Sequence, residues 1–416
     1  MKELYALGKY EEIINMCNEK DELNIYELWY LGNSYYKLKK YDKVIETYKR
    51  YKSLNPEKDY LKNIYCWAIY QNYLKNPENI SEKKFIEGTD YILNNNENDT
   101  LIYTKTVFNL CDYFKDKNTQ YAYEYMYNYL KKIPHETLSS KGQIIKDKMG
   151  KERKTNSDKE KWYSLYTKTC LKIGKYEECI KYSEEAISNF SKENKMSDKA
   201  FWYKVRISKA LRGLNKIEEA KELLLEVNLL KDYFFIKEEI ADIYASQGEM
   251  DKAKKYLYEG ILSKSSELDK KIKLIEKIGD ILIEDNREKE GKLNYLLIQD
   301  IREKENWKKD NDISNKLEKL KDIIVDENNI KKQCEKIWRE EYNKLVPEKE
   351  GVITKINNDK YGFIKYDEKT IFFQVKDVKA KDKTDILNKK VIFNIIESYD
   401  AKKNEKSYKA INIRLI

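Results

Sequence analysis

One phrase recurs along this chain: an apolar helical stripe, a tight turn, and a second helix opening on acidic residues. It reads ALGKYEEII at Ala6–Ile14, IYELWYLGNSYYKLKKYDKVIETYKRYKSLNP at Ile25–Pro56 and WYSLYTKTCLKIGKYEECIKYSEEAI at Trp162–Ile187, with shorter echoes in GLNKIEEA and SQGEMDKA ending at Ala220 and Ala253. In the second copy Leu28, Leu31 and Tyr35 stand at i, i+3 and i+7 on one helix, and Val44, Tyr48 and Tyr51 form the facing stripe of the next. Gly32 leaves room for close backbone approach, and Pro56 stops the second helix. One such pair cannot bury its apolar stripe alone; neighbours must stack on it, with at least three units needed for stability. The expectation is an α-solenoid with no single central core.

Composition agrees with thin, solvent-flanked layers: 41% of residues are hydrophobic, 37% are charged, and only 4 of 416 are proline. The net charge of +9 is localised. Residues 139–161 carry +4 and residues 348–416 carry +5, so an anionic partner is expected at one of these segments if anywhere. Other lysine runs read as solvated helix faces.

Six scattered cysteines without a CxxC pair, and a single histidine, exclude a zinc site of ordinary spacing. They read as buried thiols in a reducing compartment. No apolar leader or long uncharged stretch is visible. The expected location is cytoplasmic, with no membrane partner.

The Ile25–Pro56 spacing resembles the tetratricopeptide repeat, a unit of about 34 residues with large and small positions in this order and a closing proline. Val44 and Tyr51 depart from it, standing where alanine is usual. The resemblance implies a groove lined by first helices that binds a protein or peptide. The repeat signature fades across 61–130 and 270–307, where degenerate units are expected. The expected organisation is helical repeats at 1–138, a basic linker or extended loop at 139–161, helical repeats at 162–345, a linker at 346–350 and a β-barrel at 351–416.

After Glu350 the apolar period drops from 3.6 to 2, with strand-like runs at Gly351–Ile356, Tyr361–Tyr366, Thr370–Val375, Lys390–Glu397 and Ser407–Leu415. Five short strands in so small a module suggest an OB-like barrel. EGVITKINNDKYGFIKY followed by IFFQV resembles the opening of a cold-shock domain. In that resemblance Lys360, Tyr361, Gly362, Phe363 and Ile364 stand for the first RNA-binding motif, and Ile371, Phe372, Phe373, Gln374 and Val375 for the second. Lys355 replaces the motif tryptophan, Gln374 the histidine and Val375 a phenylalanine.

Strand alternation puts Ile364, Ile371 and Phe373 inside and Tyr361, Phe363, Lys365 and Phe372 outside. The candidate nucleic-acid-binding residues are therefore Lys355, Lys360, Tyr361, Phe363, Lys365, Phe372 and Gln374, for single-stranded RNA or DNA. The competing reading has the three aromatics packed on Trp338 of the last helix, leaving the barrel as a structural or protein-binding module.

The run YAYEYMYNYL from Tyr121 makes two helical tyrosine stripes, read as packing on both neighbours. Asn33 occupies a position that some tetratricopeptide domains use to grip a carboxylate, but Trp29 stands where the accompanying cation belongs. His135, beside Pro134, reads as a surface turn residue. No catalytic residue, cofactor or metal site is expected: GxxxxGK[ST], GxGxxG and GxSxG are all missing. The function that follows is a non-enzymatic adapter.

Overall fold

The turns that punctuate the repeated phrase share one geometry. Gly174 and Gly248 sit at φ +75°, a left-handed conformation that glycine adopts without strain, and Lys39, Asn286 and Asn306 adopt it at +55° to +58°. The next N–H then reaches back to the carbonyl five residues earlier: Lys175 to Cys170, Glu249 to Tyr244, Lys40 to Tyr35 and Trp307 to Arg302, each at 2.9 Å. This satisfies carbonyls that a helix end otherwise leaves orphaned. Helix starts are fixed as specifically. Asn24 and Glu27 form a reciprocal capping box, as do Ser157 and Glu160.

The computed structural model describes residues 1–54, 56–57, 59–115, 117–146, 150–190, 198–358, 360–379, 385–400 and 405–416, with backbone only at 198–199, 399–400 and 405–406. It is a mostly helical solenoid followed by a β-barrel, and divides into two compact units, Met1–Gly213 and Leu214–Ile416. Helices and barrel therefore share the second unit. No described helix is long and apolar enough to cross a membrane.

In the first unit, Leu28, Leu31, Tyr35, Val44, Tyr48 and Tyr51 are all buried, as their spacing requires. A Cβ on Gly32 would lie 3.3 Å from a Leu61 methyl and 3.5 Å from the Thr47 methyl, so it would press slightly on Leu61 and meet the paired helix at ordinary contact distance. Tyrosines pack between helices and direct their hydroxyls to shared carboxylates. Tyr125 and Tyr129 both donate to Asp90, and Tyr127 and Tyr166 both donate to Glu178. The two stripes of the Tyr121 run thus face different neighbours.

His135 corrects its sequence reading. It is buried, stacked on Trp162 with ring centroids 4.2 Å apart, and its Nε2 lies 3.4 Å from Glu185. The aromatic surface beyond the Pro134 turn supplies the burial that local polarity did not suggest. Within 139–161, β1 (Ile144–Lys146) pairs antiparallel with β2 (Glu152–Lys154). Asp147, Lys148 and Met149 of that segment lie outside the described residues.

In the second unit a lysine ladder joins successive first helices. Lys277 bridges Glu238 and Asp242, and Lys316 bridges Glu276 and Asp280. Each acidic pair is spaced i, i+4, so both carboxylates share one helix face.

The barrel strands are β3 (Lys349–Asn357), β4 (Tyr361–Tyr366), β5 (Lys369–Gln374), β6 (Val378–Lys379), β7 (Lys390–Asp400) and β8 (Glu405–Leu415). Five of them close a ring in the order β3–β4–β5–β8–β7–β3. The closing contact is the parallel pair β5–β8, at Phe372↔Lys409 and Phe373↔Ala410. The two-residue β6 adds to β8. Ile353, Ile364, Ile371, Phe373, Val391, Phe393 and Ile413 fill the interior. Within this unit the barrel is tied to the end of the helical run: Asn394 Nδ2 donates to the Val346 carbonyl at 2.8 Å, and Glu348 accepts from Asn343 at 2.8 Å and pairs with Arg414.

Candidate nucleic-acid interface

The β4 sequence YGFIKY alternates between half-buried and buried along its first four residues, with Gly362 and Ile364 inside and Tyr361 and Phe363 outside. On β5 the adjacent phenylalanines divide, Phe373 wholly buried and Phe372 facing out. Register then brings the outward residues together: Phe363 stands opposite Phe372, Tyr361 opposite Gln374, and Lys355 opposite Phe363 on the other side. Gly362 permits this arrangement, since a Cβ there would fall 2.4 Å from the Lys355 carbonyl oxygen.

The three rings form a triangle. Centroids are 5.7 Å apart for Tyr361–Phe372, 6.1 Å for Phe363–Phe372 and 6.4 Å for Tyr361–Phe363, the last two edge-on. Such contacts are favourable for aromatic pairs and hold the rings as one platform. A register shift between Ile353 and Lys355 leaves Thr354 and Lys355 exposed in succession. Lys355, Lys360 and Lys365 are exposed around the platform. Trp338 lies elsewhere, buried in the helical core of the same unit with its indole N–H donated to Asn294 at 2.9 Å. The aromatics find their ring partners in one another.

All seven residues singled out in the sequence thus lie on β3, β4 and β5 or at the start of β4. Lys409, not singled out in the sequence, stands beside Phe372 because β8 closes the barrel there, and nothing in the local sequence signals that pairing. Asn33, by contrast, donates to the Trp29 carbonyl of its own helix at 2.8 Å. Chemically, the face offers ring surfaces for unpaired bases and ammonium groups for phosphates.

The tetratricopeptide repeat family matches residues 28–58 and 238–266. The chain carries tetratricopeptide repeats. The two matches fall on the helix pairs Ile25–Lys37 with Tyr41–Leu54 and Phe234–Ser246 with Met250–Leu262, the pairs whose turns hold Lys39 and Gly248. No curated protein matches the sequence. Among solved structures, the chain is similar to human IFIT1 in a dimer with PPP-AAAA, at 12% identity over 82% of this chain and 80% of that one, with a TM-score of 0.36. It is similar to a Rap protein complexed with Competence and Sporulation Factor, at 13% identity over 80% and 88%, TM-score 0.38. A tetratricopeptide repeat protein from Parabacteroides merdae gives 10% identity over 74% and 97%, TM-score 0.35.

Proposed function

We propose that the chain is a non-enzymatic cytoplasmic adapter whose tetratricopeptide repeats bind a protein or peptide and whose barrel, cold-shock-like, binds single-stranded RNA or DNA. The observation that carries the reading is the outward triangle of Tyr361, Phe363 and Phe372, ringed by Lys355, Lys360 and Lys365. A base stacked on an aromatic ring gains roughly 1–3 kcal/mol, so three platforms suffice for modest, sequence-tolerant affinity. Six buried free thiols suit a reducing compartment.

The test is titration of labelled single-stranded RNA, with single-stranded DNA in parallel, against the intact chain and a Tyr361→Ala, Phe363→Ala, Phe372→Ala variant at low and high salt. Binding should weaken as salt rises, because phosphate contacts release counterions, and should be lost in the folded variant. Binding that ignores salt, or that survives in the triple variant, would overturn the reading.

A further inference from the structure

Beside the aromatic platform, between the barrel and the helices of the same unit, lies a cavity of about 490 Å³. That volume falls within the span of about 300–1,000 Å³ usual for ligand sites. Six of its lining residues belong to the platform's own sheet, among them Gln374, the register partner of Tyr361, and Lys409, the partner of Phe372.

We propose that this cavity holds the phosphorylated end of the single strand, an inference that rests on the reading of the aromatic face as its base-stacking platform. The cavity wall carries five ammonium groups, on Lys237, Lys264, Lys376, Lys379 and Lys409, against three carboxylates. The carboxylates are largely spent. Asp232 pairs with Lys237 and accepts from Ser263 Oγ at 3.0 Å, and Glu259 accepts from Tyr342 at 3.2 Å. Burial pushes both Glu259 and Asp377 up, toward their neutral forms. Lys264, Lys379 and Lys409 form no ion pair among the described residues; Asp377 faces Lys409, Lys376 and Lys264 at longer range, and five ammonium groups against three carboxylates leave two positive charges in excess on the wall.

Lys379 registers this excess. It opens to solvent, yet the protein mass around its ammonium, together with repulsion from Arg339, Arg414 and Lys264, brings it down to about 8. A phosphate dianion supplies the missing charge and accepts several charge-assisted hydrogen bonds at once. A strand interior offers only singly charged diesters, whereas a terminal monoester carries close to two charges.

The experiment uses the full chain and one internally labelled RNA sequence in three forms: hydroxyl at both ends, 5′-phosphate, and 3′-phosphate. One phosphorylated form should bind roughly tenfold more tightly than the hydroxyl-ended form. A Lys264→Gln, Lys379→Gln variant should lose that gain while binding the hydroxyl-ended RNA as the wild type does; Lys379→Arg should keep it. Should the double variant melt early by circular dichroism, Lys379→Gln alone repeats the test. Equal binding of all three RNAs overturns the inference and leaves base stacking standing, as does a gain that persists in the lysine variants. A free nucleoside monophosphate that binds while phosphorylated ends gain nothing also overturns it. No binding by any RNA removes both readings.

Discussion

Phe372 and Phe373 are neighbours on one strand, and replacing each with alanine should give opposite outcomes. Phe373 is wholly buried in the barrel core. Truncating a buried phenylalanine removes its transfer free energy and leaves a cavity, costing about 3–5 kcal/mol. For a small barrel that is a large part of total stability. Phe372 is half-buried, and its ring lies 5.7 Å from that of Tyr361 and 6.1 Å from that of Phe363. Losing such pairs costs about 1 kcal/mol of stability, while losing one stacking platform costs about 1–3 kcal/mol of binding, or roughly fivefold to a hundredfold in affinity. Thermal unfolding followed by circular dichroism, with RNA anisotropy on the same samples, separates the two. Phe373→Ala should melt early, and Phe372→Ala should melt near the wild type but bind weakly. If Phe372→Ala binds RNA normally, or destabilises the protein as much as Phe373→Ala, the assignment of faces to roles is wrong.

Replacing Lys355, Lys360 and Lys365 together with glutamine should flatten the dependence of log affinity on log salt by about 2, at about 0.7 for each phosphate no longer neutralised; an unchanged slope in the same titration would place the phosphate-binding groups elsewhere. Gly362→Ala should cost about 1–3 kcal/mol of stability, read as a lowered melting temperature, because its Cβ would meet the Lys355 carbonyl oxygen at 2.4 Å and Phe373 at 2.6 Å. Burial opposes the charge on Glu178, but hydrogen bonds from Tyr166 and Tyr127 hold its carboxyl below the usual range. Its contribution is therefore complete above the carboxyl's unfolded value and fades as pH falls through the folded one. The stability gap between wild type and Tyr166→Phe should accordingly narrow on acidification, and a gap constant with pH would contradict this.

The solenoid was legible because its code is local. Apolar spacing set the stripes of Leu28, Leu31 and Tyr35, and the turn residues set the helix ends at Lys39 and Gly174. The division of the barrel into inner and outer faces was legible for the same reason, since strand period 2 separates Phe372 from Phe373 without reference to anything distant. What escaped depends on pairings remote in sequence. His135 is buried by Trp162, on a helix beyond the β1–β2 hairpin. Lys409 meets Phe372 only because β5 and β8 close the ring. The cavity is lined by helices and barrel strands far apart in sequence, and the helical run ending at Leu345 is fastened to β7 and β8 through Val346 and Glu348.

Ultraviolet crosslinking tests most directly the proposed seating of bases on the outward face of β4 and β5. Single-stranded RNA irradiated with the intact chain should attach to Tyr361, Phe363 or Phe372, as mapped by mass spectrometry of the digested product. Crosslinks confined to the tetratricopeptide helices would contradict it.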